Sequence, residues 1–254
     1  MSNKYLNENL LSKVSNEKYM NNFPFPHCVI DGLLNPDTLS RVLKIIDKLE
    51  LNNATHKFVN SNCPYEYNKY TYDISKVPEL KDIFDYLNGP EFLAELSRIT
   101  GIKDIIANMK GGVKGSGVHM IKTGGYLGIH TDFNTHTHNI YGALDRRINI
   151  LIYLNPDWKE EYGGHLVLRQ PNKNSSIKNQ IKVAPILNRC VIFSTTKNSW
   201  HGHEEPLTSP SGIHRRSIAN YYYTKNTTKG KDFEGEPPHN TRWWNNNFRD
   251  MKGL

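Results

Sequence analysis

The segment Gly125-Tyr-Leu-Gly-Ile-His130-Thr-Asp132 sets an imidazole and a carboxylate two residues apart. A second imidazole, His201, comes 71 positions later within Trp200-His201-Gly202-His203. If the first segment is a strand, its side chains alternate between faces and His130 and Asp132 point the same way. All three groups then meet on one ion when a later strand carrying His201 lies beside the first. Two strands far apart in sequence must therefore be neighbours in one sheet. Two imidazoles and one carboxylate form the facial donor set that holds non-haem Fe(II) and leaves coordination positions open.

His-x-Asp alone carries little weight, since a chain with eleven histidines and twelve aspartates contains about half an accidental match. The weight comes from the surroundings. After Gly101 the chain changes to short apolar runs punctuated by glycine and polar turns, the pattern of antiparallel β structure. Eight strands are expected: Asp104–Met109, Val118–Lys122, Tyr126–Asp132, Arg147–Leu154, Gly164–Leu168, Lys182–Ala184, Cys190–Ser194 and Arg215–Thr224.

Before this region the period is helical. Asn35-Pro36 opens a helix whose Leu39, Val42, Leu43, Ile46 and Leu49 recur at helical spacing, and Pro78–Leu87 and Pro90–Ile99 follow as two more. Phe23 to Ile30 reads as a short strand, and residues 50–77 as loop and irregular strand. The expected fold is mainly β with a flanking helical layer, a double-sheet jelly roll enclosing a site between its sheets. Residues 1–22 are expected as a loose polar lead-in, 23–224 as a single domain (helical support 23–104, jelly-roll core 105–224) and 225–254 as an extension. In that extension Trp243-Trp244 is expected to fold back as a clasp over the helical layer.

Thirty-two Lys and Arg against 25 Asp and Glu give a net charge of +7 without any basic run of nucleic-acid-binding length, so neither nucleic acid nor membrane is an expected partner. Cys28, Cys63 and Cys190 lack the spacing of a thiolate zinc site or a disulfide framework. The N-terminus shows no apolar signal segment and no run reaches membrane-spanning length, which points to a cytoplasmic protein.

Six ordered blocks resemble the Fe(II)- and 2-oxoglutarate-dependent dioxygenases, and within them the prolyl 4-hydroxylase-like branch. They are Gly124 to Phe133 around His130 and Asp132, Arg147 to Trp158, Tyr162-Gly-Gly-His-Leu166, Asn188 to Phe193, His201 to Leu207, and Arg215 to Tyr223. The resemblance implies a double-stranded β-helix, cupin-like, with His130, Asp132 and His201 as iron ligands, 2-oxoglutarate as co-substrate and ascorbate as reductant. His203 is the rival third ligand on strand parity, and the resemblance favours His201. His27, His136, His138 and His165 are read as surface or structural histidines.

The far carboxylate of 2-oxoglutarate calls for a basic partner, and an arginine fork suits it. Arg215 and Arg216 are adjacent on one strand, so only one faces inward. Arg215 shares its face with Ser217, Ala219 and Tyr221, whose small members leave room for an acid, and is the expected anchor. The resemblance adds Tyr153 as a hydrogen-bond donor to that carboxylate, with Asn149 on the same face, and Leu166 as an apolar wall. Prolyl hydroxylase relatives often carry a tyrosine on the strand before His-x-Asp, where this chain reads Val118-His-Met-Ile-Lys122; His119 or Lys122 stands in for it, or neither does.

The expected reaction is hydroxylation of an unactivated C–H bond, with succinate and CO2 as co-products. The resemblance favours a peptidyl proline, with residues 50–77 and 133–145 as substrate lids. A free amino acid or other small metabolite is the alternative. Asp132 argues against halogenation, which needs its coordination position vacant. A non-catalytic jelly-roll module would have lost a ligand or the arginine, and a zinc hydrolase would need a general base that the motif lacks.

Overall fold

The computed structural model describes residues 3–59, 64–107, 115–171, 179–228 and 230–244. Cys63 and the last two residues of the expected strand Asp104–Met109 lie outside them.

Among the described residues four α-helices precede most of the β structure: α1 (Asn16–Asn21), α2 (Pro36–Ile46), α3 (Lys81–Leu87) and α4 (Pro90–Thr100). The proline starts are borne out. Asn35 caps α2 by accepting from the Thr38 amide at 2.9 Å, and Pro36 and Pro90 occupy first-turn positions where no amide is needed. The expected helix 78–87 begins with a 3-10 turn at Pro78–Leu80 before becoming α3.

The described residues form thirteen strands, in chain order β1 (His27–Asp31), β2 (His56–Phe58), β3 (Glu66–Tyr72), β4 (Ile106–Ala107), β5 (Gly117–Thr131), β6 (Thr135–His138) and β7 (Gly142–Tyr153). They continue with β8 (Leu166–Arg169), β9 (Gln180–Val183), β10 (Arg189–Ser194), β11 (Trp200–His203), β12 (Arg215–Lys225) and β13 (Arg242–Trp243). Along the sheet the order is β1-β10-β7-β12-β5-β11-β8-β9, and every pairing is antiparallel.

The two strands expected at Val118–Lys122 and Tyr126–Asp132 form one continuous strand, β5. Its first half pairs with β12 and its second half with β11, so the sheet curls into two facing layers joined through β5. The double-stranded β-helix expected from the sequence is the observed fold.

Alternation on β7 separates core from site. Ile148, Ile150 and Ile152 are buried against the helical layer with Val42, Ile46 and Leu96, while Asn149 and Leu151 face the space between the layers. On β12, Ile218 and Tyr222 join that helix-facing core, and Arg215, Ser217 and Tyr221 face inward. A smaller cluster of Phe25, Tyr153, Leu166, Leu168, Val191 and Phe193 fills the interior at one end.

Two expectations are corrected, at the two ends of the chain. Residues 3–22 are not a loose lead-in: Leu6, Leu11 and Tyr19 are buried in the helix-side core, and Arg98 of α4 donates to the Leu11 and Val14 carbonyls. Residues 50–77, expected as loop and irregular strand, carry β2 and β3, which pair antiparallel; β3 pairs along β5 over Glu66 to Tyr72 with a register shift between Tyr67 and Lys69, extending the site wall. The C-terminal segment does fold back, but onto β5 rather than the helical layer: β13 sets Arg242 against Thr131 and Trp243 against His130. The free backbone edge of β5 at the site offers hydrogen bonds that a packed helix surface lacks. Among the described residues no helix is long and apolar enough to cross a membrane.

Candidate active site

β5 and β11 build the centre. His201 pairs directly with His130, and a register shift then sets His203 opposite Leu127. At Gly202 a Cβ would come 2.5 Å from the Gly128 carbonyl oxygen, so the close approach of the two strands requires glycine between the two histidines.

The outcome is a cluster of His130, Asp132 and His201 whose candidate ligand atoms all lie within 4.8 Å of one another. His130 Nε2 is 3.8 Å from Asp132 Oδ1, and His201 Nε2 is 3.5 Å from Asp132 Oδ2. Among the described residues this is the one such group of three. His203, the rival ligand, is not part of it. His27, His136, His138 and His165 also lie outside it, and His165 instead meets Glu160 at 3.0 Å.

The hydrogen bonds around the cluster orient it for a cation. His130 Nδ1 lies 2.9 Å from the Gly128 carbonyl and His201 Nδ1 2.9 Å from the Ser199 carbonyl. A carbonyl only accepts, so each Nδ1 carries the proton and each Nε2 turns its lone pair toward Asp132, the arrangement metal-ligating histidines adopt. Burial, and after it the neighbouring His201, push His130 down to about 3, which keeps the ring neutral. Burial alone would raise the Asp132 carboxyl. The charge of Arg146 and the two imidazoles outweigh it and hold Asp132 well below the usual carboxylate range.

Arg146 is a site residue that sequence reasoning missed. Its Nη2 sits 3.1 Å from Asp132 Oδ2, its guanidinium lies 3.7 Å from the Tyr221 ring centroid and 4.5 Å from that of Phe133, and it is buried. It also donates to Asn149 Oδ1, and Asn149 Nδ2 donates in turn to Asp132 Oδ2 at 2.7 Å. Asn149, expected at the co-substrate, thus reaches the carboxylate of the cluster. Oδ2 is thus held by the Asn149 hydrogen bond and the Arg146 ion pair.

A cavity of about 540 Å³ opens from this cluster. Arg215 lies on its wall with Ser217 and Tyr221 from the same strand face, and Leu166 from β8. Arg215 Nε donates to the Gly164 carbonyl at 2.7 Å. Gly164, at φ +68°, leaves space that a Cβ would take up, 3.0 Å from Arg215 Cδ. Tyr153 is fully buried behind Arg215, accepting from its Nη2 at 3.3 Å with the guanidinium 4.9 Å from the ring centroid. Arg216 points the other way and pairs with Asp47 at the end of α2.

His119 lines the cavity, its Nε2 at 2.7 Å from the Gly115 carbonyl; Lys122 is not on the wall. From β3 come Lys69, paired with Glu66 at 2.7 Å, and Thr71. The rim carries Phe58, Tyr65 and Trp243, with Trp243 stacked on Tyr65 at 5.0 Å and 10° and lying 5.1 Å from the His130 ring. The sequence marked residues 50–77 only as a lid and Trp243 only as a clasp over the helices, because Lys69, Thr71 and Trp243 join the site through strand pairings that carry no motif.

The family model described as 2OG-Fe(II) oxygenase superfamily matches residues 116–223, the stretch from the start of β5 to near the end of β12. Among solved structures the chain resembles a prolyl hydroxylase from Trichoplax adhaerens, solved with a hypoxia inducible factor oxygen degradation domain peptide fragment. The two share 19% identity over 84% of this chain and 89% of that one, with a TM-score of 0.57. A Pseudomonas putida prolyl-4-hydroxylase is similar at 14% identity over 85% of this chain and 99% of that chain, TM-score 0.54. HygX from Streptomyces hygroscopicus, solved with nickel, 2-oxoglutarate and hygromycin B bound, is similar at 12% identity over 85% and 93%, TM-score 0.52. No curated protein matches the sequence.

Proposed function

We propose that this chain, which belongs through residues 116–223 to the 2OG-Fe(II) oxygenase superfamily, hydroxylates an unactivated C–H bond of a peptidyl proline. One observation carries the reading: the His130, Asp132 and His201 cluster and the buried Arg215 line the same cavity. Each feature alone has an ordinary structural explanation; together they fit a metal-chelated diacid.

The donor set fits the metal, with two neutral imidazole nitrogens and one carboxylate leaving other positions open, as Fe(II) oxygenases require. His130, Asp132 and His201 would hold the iron, and Arg215, supported by Tyr153, would take the far carboxylate of 2-oxoglutarate. When bound, iron and 2-oxoglutarate supply an oxidation in which dioxygen converts the acid to succinate and CO2 and hydroxylates the substrate. The protein's part is orientation and exclusion of water. Arg146 and Asn149 fix the carboxylate of Asp132, the Gly128 and Ser199 carbonyls fix the imidazoles, and Leu151, Leu166 and Phe193 keep the interior apolar.

The peptide reading draws support from the fold shared with prolyl hydroxylases and from the rim of Phe58, Tyr65 and Trp243, apolar surface on which a pyrrolidine ring would pack. A small-molecule substrate is the competing reading, because HygX has the same fold and was solved with hygromycin B. The test is incubation with Fe(II), ascorbate, 2-oxoglutarate and labelled dioxygen against proline-containing peptides and free amino acids. Label in a hydroxylated peptide, with matching succinate, is the expected result. Succinate with an oxidised amino acid and no oxidised peptide replaces the substrate class. Neither succinate nor oxidised product from iron-loaded protein removes the oxygenase reading.

A further inference from the structure

Among the described residues, His203 and Thr71 are the cavity-lining side chains with buried polar atoms that lack a hydrogen-bond partner, and only His203 has both of its ring nitrogens unmet. A buried polar group left unpaired costs free energy, so a native site that keeps one implies a partner. The position of His203 narrows what that partner is.

The metal is not the partner, since His203 stands outside the cluster of three ligand atoms. The register shift on β11 carries it away: His201 is level with His130, and His203 is level with Leu127. Two residues of strand, about 6.6 Å, separate the two histidines. Both side chains line the same cavity, as does Arg215. His203 and Arg215 thus both face the cavity that a diacid held beside His201 would occupy. A neutral imidazole carries one N–H and an imidazolium two, so the His203 ring has an N–H to donate in either form.

We infer that His203 is a 2-oxoglutarate-binding residue of this chain, donating from its ring N–H to the far carboxylate that Arg215 also holds. The inference rests on the reading of this cavity as a 2-oxoglutarate site. It explains why a histidine occupies an interior position where an apolar side chain would leave no unmet group. It also gives the acid a second donor besides the arginine, on the facing layer of the sheet.

The test loads the intact protein with Mn(II) in place of Fe(II) and measures 2-oxoglutarate binding by calorimetry in wild type, His203→Val and His203→Gln. The Val variant is expected to weaken binding about tenfold. The Gln variant, which keeps an N–H donor, should stay within about threefold of wild type, and Mn(II) affinity should be unchanged in both. In wild-type protein carrying Zn(II), the ring nitrogen resonances of His203 should move on addition of 2-oxoglutarate, a readout that needs no variant. Unchanged affinity in a folded His203→Val protein, or unmoved His203 resonances, overturns the inference. Equal weakening in Val and Gln overturns the hydrogen bond in favour of shape, and loss of Mn(II) binding would mark His203 as a metal ligand instead. Failure of wild-type protein to bind 2-oxoglutarate at all removes the site reading itself, a result distinct from a His203-specific failure.

Discussion

Arg146 Nη2 stands 3.1 Å from Asp132 Oδ2, a buried ion pair with the guanidinium held between the rings of Tyr221 and Phe133. Asp132 enters the interior as a carboxylate because this cation accompanies it. Arg146→Met should therefore weaken metal binding by about 10- to 100-fold, the usual effect of removing a group that orients a ligand. Arg146→Lys, which keeps the charge without the fork, should fall between. Mn(II) titration followed by electron paramagnetic resonance measures both, and wild-type affinity in Arg146→Met would contradict this role.

Metal retention should divide the histidines. His130→Ala, Asp132→Ala and His201→Ala should each lose bound iron and succinate formation, and His203→Ala should keep iron. Iron stoichiometry in the four purified variants decides it. Loss of iron in His203→Ala with retention in His201→Ala would exchange their roles.

The neighbouring arginines should separate as sharply. Arg215→Met removes the buried cation from the cavity and should raise the KM for 2-oxoglutarate by an amount equivalent to about 2 to 5 kcal/mol, as for truncating one partner of a buried charge pair. Arg216→Met breaks a pair with Asp47, whose side chain is 62% exposed, and should leave that KM unchanged and cost at most about 1 kcal/mol of stability. Equal changes in KM would contradict the observed facing of the two side chains.

Trp243 ties the C-terminal segment to Tyr65 and to the His130 ring. Trp243→Ala should lower stability by about 1 kcal/mol through the lost aromatic pair, and should raise the KM for the oxidised substrate more than that for 2-oxoglutarate, since Trp243 is at the rim. Thermal melting and paired kinetics test this. A change confined to the 2-oxoglutarate KM would put Trp243 on the wrong side of the cavity.

Acid should destabilise the metal-free protein through buried imidazoles. Burial, and then the charge of Lys69, push His119 down to about 3, so the folded state takes up no proton there until well below the pH at which the unfolded chain does, about 6.5. The unfolded state then binds more protons, and stability falls as pH falls through 6.5 toward 3, by at most about 1.4 kcal/mol per pH unit for this one group. His119→Gln should flatten that slope in chelator-treated protein. Denaturant midpoints between pH 7 and 5 measure it, and an unchanged slope would show that His119 takes up its proton at the same pH in the folded and unfolded states.

The pairing of His130 with Asp132 and the inward facing of Arg215, Ser217 and Tyr221 were legible in the sequence because both follow from strand parity, a local property with period two. The helices opened by Pro36, Pro78 and Pro90 were legible for a similarly local reason: proline fits the first turn and little beyond it. Arg146 was not, and the structure shows why. On β7, Ile148 pairs with Tyr222 and Arg146 with Tyr223, so Arg147 is an extra residue that shifts the register. By simple alternation Arg146 belongs with Ile148 on the helix-facing side; the bulge turns it to the face of Asn149, into the site.

The sequence by itself determined which residues have the chemistry to hold a metal and an acid, and which face of its strand each takes where the strand is regular. Tertiary structure decided which strand lies against which. The shift on β11 that separates His201 from His203, the joining of β3 and β13 to the edge of β5, and the packing of residues 3–22 under the helices all depend on contacts between segments distant in the chain. Such contacts are selected by the fit of whole surfaces and by the need to pair exposed strand edges, and no residue spacing records either.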